Sequence, residues 1–143
     1  MQIRTISITI LGTIAAATMA FAGIGEDEKQ IEARYGKAGK DMGSHGTVHQ
    51  IGYVSGGFMI LVDYVNGISQ REGFANPDTS PLTNEAIEQI LKISAPEGTK
   101  WRQVQGAGPD RSWRRTDEKA VAICPTAGIF LFVQDVNYTP PKE

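Results

Sequence analysis

The chain has 143 residues, 41% hydrophobic and 21% charged, with a formal net charge of −2. That balance fits one folded domain with a sizeable core and excludes a disordered or fibrous chain. Mild acidity excludes generic attraction to nucleic acid, and a single cysteine, Cys124, excludes an internal disulfide framework.

The chain opens MQIRTISITILGTIAAATMAFAG, in which Arg4 precedes an apolar run over residues 6–17 and small residues follow as Ala20-Phe21-Ala22. A basic start, an apolar centre and a small-x-small end predict a secretory signal peptide over residues 1–22. A single mature domain is expected over residues 23–143, starting at Gly23. The apolar run is short for a membrane span and lacks a charged stop-transfer flank, so no stable membrane anchor is expected after cleavage. No cysteine stands near the cleavage point to carry a lipid. The expected location is periplasmic or secreted.

GEDEKQIEARYGK, residues 25–37, predicts a first helix. Glu26, Asp27 and Glu28 sit where the helix dipole favours carboxylates, Gly36 can close the helix in the left-handed conformation, and Ile31 and Tyr35 share one face. From Gly36 to Gly46, four glycines and two lysines predict a connector without a packed element. Three strands are expected next, over residues 48–54, 58–65 and 68–74. Gly56-Gly57 and Asn66-Gly67 provide the turns, since these residues tolerate positive φ. The middle strand, FMILVDYV, is apolar on both faces except for Asp63, which predicts a central position covered on one side by helices and on the other by more chain.

Residues 76–94, NPDTSPLTNEAIEQILKIS, predict a loop and a second helix. Thr83 is its N-cap, Glu85 lies in its first turn, and Ala86, Ile87, Ile90 and Leu91 form one apolar stripe. Pro96 and Gly98 end it. Strands over 101–104, 113–116, 120–124 and 129–135 then make a second meander, and the tail over 137–143 is expected to fray. The predicted fold class is α+β, two helices packed on antiparallel meanders in the order α-βββ-α-ββββ.

IEARYGK, the hairpin ending DYVNGISQREGF, the segment LTNEAIEQILKISAPEGTKW and the segment WRRTDEKAVAI together resemble a largely uncharacterised family of small exported bacterial proteins. The shared features are a tyrosine-glycine closing the first helix, a central Asn/Asp-Gly hairpin and two tryptophans around the later strands. The element order is also similar to the β-lactamase-inhibitor-protein-like and SmpA/OmlA-like folds. That resemblance implies action by protein binding rather than catalysis.

Few residues are candidates for chemistry. His45 and His49 are the only histidines, and on one strand their Cα atoms would stand roughly 13 Å apart, too far to share an ion. Cys124 lies among Val121, Ile123 and Pro125, which predicts burial rather than a reactive thiol. No nucleophile elbow, phosphate-binding loop or zinc-protease motif occurs. No cofactor or metal is expected. Asp63, a carboxylate within an apolar strand, must be paired, exposed at an edge, or shifted in pKa; pairing with an arginine is the structural reading, and a catalytic carboxylate is the functional one.

SWRRTDEKAVAIC, residues 112–124, is the centre of a basic island. Residues 100–119 hold six basic side chains against three acidic ones in an otherwise acidic chain. Strand alternation puts Trp113 and Arg115 on one face and Ser112, Arg114 and Thr116 on the other. Arginine and tryptophan are frequent interface anchors, which makes Arg102, Trp113, Arg114, Arg115 and Lys119 the candidate contact residues. The expected function is an exported, non-catalytic binding module that contacts an acidic protein surface or an anionic envelope polymer through this hairpin. The alternative is a small envelope hydrolase using Asp63 or Cys124 with His45 or His49.

Overall fold

The computed structural model describes residues 23–37, 39–106 and 108–142. The leader expected over 1–22 lies outside them. Chain order is α1 (Glu28–Tyr35), β1 (Lys40–His45), β2 (Val48–Ser55), β3 (Phe58–Val65), β4 (Ile68–Ala75), α2 (Asn84–Ile93), β5 (Trp101–Val104), β6 (Arg111–Arg115), β7 (Ala120–Cys124) and β8 (Phe130–Asp135). All eight strands pair antiparallel in one sheet of order β1-β2-β3-β4-β8-β7-β6-β5, so the molecule is α+β and its two meanders share a single sheet.

Local chemistry sets most of this. Asn66 and Gly67 both take positive φ, 51° and 77°, in the two-residue turn that joins β3 to β4, the backbone twist such hairpins favour. At α1, the Asp27 side chain accepts from the Gln30 backbone while the Gln30 side chain caps Asp27 in return, satisfying two of the free helix-end donors. Gly36 closes α1, but with φ 93° and ψ 179° rather than the left-handed helical pair expected. At α2, the Thr83 hydroxyl accepts from the Ala86 backbone, and Ile87, Ile90 and Leu91 turn inward.

Two expectations are corrected. The stretch 36–46 contains β1, six residues without one buried side chain. Hydrophobic periodicity registers burial, and this edge strand is held by main-chain pairing to β2 instead. The tail is also tied down at one point: the Tyr138 hydroxyl donates to Asp63 at 2.8 Å, and the Gln134 amide donates to the Tyr138 carbonyl.

Both helices lie on one face of the sheet. The core there joins Ile31 of α1 and Ile87, Ile90 and Leu91 of α2 to Ile51, Tyr53, Ile60, Val62, Phe74, Leu131, Val133, Ala122 and Cys124. Fully burying one such aliphatic side chain is worth about 1.5–3 kcal/mol. Among the described residues the opposite face carries no helix; Asp63, Arg71, Phe132 and Arg114 lie on it. Each helix is thus followed by a four-strand meander, and the halves meet at β4 and β8.

Candidate functional site

β6 divides the basic island between the two faces of the sheet. Trp113 is 9% exposed and Arg115 5%, both on the helix side. Arg115 Nε donates to Asp117 at 2.9 Å and Nη1 to the Ser94 carbonyl at 3.5 Å, and its guanidinium lies 5.9 Å from the Trp101 ring centre. The hydrogen bond from Arg115 holds the Asp117 carboxyl below its ordinary range. Arg114 points to the other face and donates to Glu118 at 2.8 Å; Arg102 stands 3.7 Å from the same carboxylate. Lys119 is exposed in the β6–β7 turn. The five candidate residues therefore do not form one patch. Trp113 and Arg115 are enclosed on the helix side, while Arg102 and Arg114 share a counter-charge on the open face.

The residues of the hydrolase reading are separated as well. Asp63 is 1% exposed and accepts from Arg71, Gln50 and Tyr138, each at 2.8 Å. The Arg71 guanidinium is itself held 4.9 Å from the Phe132 ring centre and 5.7 Å from that of Tyr138. Burial, and then the bond to Asp63, push the Tyr138 hydroxyl up. This is an arginine-paired carboxylate with its acceptor positions occupied, not a free base. His49 faces the opposite side of the sheet, 2.9 Å from Asp41 of β1. His45 lies across the β1–β2 turn, opposite Val48. Cys124 is buried in β7, four strand positions from β2, or about 19 Å. Among the described residues, no group of three or more His, Cys, Asp or Glu is placed to hold a metal ion, and no helix is long and apolar enough to cross a membrane.

The concave feature lies elsewhere. After α2 ends at Ile93, the chain passes through Ala95–Lys100 to reach β5 at the far edge of the sheet, and a groove of about 1020 Å³ opens between α2, this loop and the inward side chains of β5 and β6. Its apolar lining includes Leu91, Ile93, Pro96, Trp101 and Trp113. A narrower space of about 300 Å³ shares Leu91 and Trp113 with it and reaches Asn84 and Arg111. Lys92 and Lys100 at the groove are matched by Glu88 and Glu97, so its charge is balanced. Trp101 lines this groove, and its Nε1 is buried without a hydrogen-bond partner.

A buried indole N–H without an acceptor costs about 1–3 kcal/mol. Sequence alternation marks Trp101 and Trp113 as strand residues, and it is the long path from α2 to the outermost strand that leaves both beside open space. No family model, curated protein or solved structure matches this chain.

Proposed function

We propose that the protein is an exported, non-catalytic binding module whose α2–β5 groove takes an apolar organic ligand carrying one hydrogen-bond acceptor. The unpartnered N–H of Trp101, a residue that lines an apolar groove of ligand size, carries this reading. Balanced charge around the groove favours a neutral ligand. This moves the contact from the hairpin's charged face to the opposite side of the same strands, because Arg102 and Arg114 already share Glu118 and Arg115 is enclosed.

Matched probes test it. 2-Acetylnaphthalene offers a carbonyl acceptor, and 2-ethylnaphthalene has nearly the same shape without one. The first is expected to bind about tenfold tighter, the equivalent of one net hydrogen bond of about 1.4 kcal/mol, and to shift the Trp101 indole N–H resonance. Trp101→Phe is expected to remove the difference while leaving the weaker apolar affinity. Equal binding of the two probes, or no binding of either, rejects the assignment.

A further inference from the structure

Beneath α1 lies a polar cluster that neither the groove nor the Asp63 network uses. Glu72 of β4 is 1% exposed. Its Oε2 accepts from the Tyr35 hydroxyl at 3.0 Å, while Oε1 is 3.8 Å from Arg34 Nη1 and has no hydrogen-bond partner. Arg34 is committed to Glu26 as well, through a short ion pair. Among the described residues, two carboxylates, Glu26 and Glu72, thus face one guanidinium.

Gly23 stands at this spot. It is buried, its carbonyl accepts from the Ser69 hydroxyl, and Gly25 N–H and Glu26 carbonyl pair with the Ser69 backbone, both at 2.8 Å. A Cβ built on Gly23 would collide with Glu72 Oε1. Since Cβ and N of one residue are about 2.5 Å apart, the Gly23 nitrogen lies within about 4 Å of that oxygen, which is ion-pair range. Such a Cβ would also meet Arg34 Nη1, at 2.7 Å, so Gly23 sits against the ends of both side chains.

We propose that leader removal supplies a second cation: cleavage between Ala22 and Gly23 creates an α-ammonium that docks on Glu72 Oε1, completing the buried cluster and fixing the mature N-terminus to β4. Hydrolysis of that amide by a leader peptidase adds one water, leaving a carboxylate on Ala22 and an ammonium on Gly23. In the uncleaved chain the same nitrogen is a neutral amide. Burial then pushes the Glu72 carboxyl up to about 7, Arg34 and the Tyr35 hydrogen bond oppose the rise, and Glu26 adds to it. Burial raises the Tyr53 and Tyr64 hydroxyls, and Glu28 adds to both shifts and Glu32 to that of Tyr53, so among the described residues acidic groups outnumber basic ones around the site.

The inference shares the export reading with the proposed function, and the experiment separates the two. The full chain is expressed with its own leader in a bacterial host, and the exported product is weighed by mass spectrometry. A start at Gly23 is expected; a retained leader or a start elsewhere overturns the inference at the processing step. In the product starting at Gly23, NMR titration of the Gly23 α-amine is expected to give a pKa at least one unit above the ordinary 7.7–8.0. Glu72→Gln is expected to return it to that range. An ordinary value in the unmutated protein overturns the docking alone. A second variant with two residues inserted before Gly23 keeps Glu72 and tests the same contact. It is expected to fold about tenfold less favourably than the unextended chain, and an unchanged folding equilibrium also overturns the docking.

Discussion

In the first half of the molecule α1 presents one buried apolar side chain, Ile31, to the sheet, whereas in the second α2 presents three, Ile87, Ile90 and Leu91. The first half fills the remaining space with polar groups: Glu72 and Tyr35 on the helix side, and on the other Asp63 and Arg71, which Tyr138 of the C-terminal tail joins. The second half buries few charges and leaves space open beside Trp101 and Trp113. Two units of the same helix-then-four-strands order thus divide the work. One is closed and depends on charge placement; the other is apolar and leaves a groove open.

The largest test of this contrast is a pair of truncations. Phe74 of β4 is completely enclosed, so Phe74→Ala is expected to cost about 3–5 kcal/mol. Leu91 lines the groove, and Leu91→Ala is expected to cost about 2 kcal/mol, the low end for a leucine, because its removal enlarges an existing space. Urea denaturation of both variants measures the gap, and equal costs would deny that the second half is the open one.

Next in size is the pH response of Glu72. Its carboxyl is raised from 4.5 to about 7 in the folded chain, so between those values the folded state holds a proton that the unfolded state has released. Stability is full below about pH 4.5, falls as pH rises, and levels off above about pH 7. The fall amounts to about 3 kcal/mol. The N-terminally extended variant is expected to show it, and the same variant with Glu72→Gln to lack it, as read from denaturation midpoints across pH 4–8. The smallest effect belongs to the open face: Arg114→Ala is expected to change stability by no more than about 0.5 kcal/mol, since Arg114 and Glu118 are both solvent-exposed.

The sequence is a good guide where turn chemistry and alternation agree, as in β2, β3 and β4, whose bounds fall within a residue of those expected. It is silent on β1, which has no buried face to leave a pattern. It also places the charged groups of β4 incorrectly, for an identifiable reason. Counting back from the Asn66-Gly67 turn sets Gln70 opposite Asp63, yet a bulge between Asp63 and Tyr64 shifts the register so that Arg71 is its partner. The same shift carries Glu72 to the helix side opposite Val62, where simple alternation would have left it on the open face. One extra residue therefore creates both polar networks of the first half. The groove is hidden for another reason, because β5 is four residues long and its position at the sheet edge follows from pairings distant in sequence.

The seam between β4 and β8 joins Ala75 to Phe130 and Arg71 to Gln134. Among the described residues β4 and β8 carry the strand pairing between the halves, and β8 follows the other strands in chain order. A sheet closed by its final strand has high contact order, which slows folding. During synthesis the first meander can pair with itself, but its inner edge at β4 stays open until the C-terminal residues emerge. Closure of the sheet therefore waits on a strand some sixty residues further along the chain than the edge it covers.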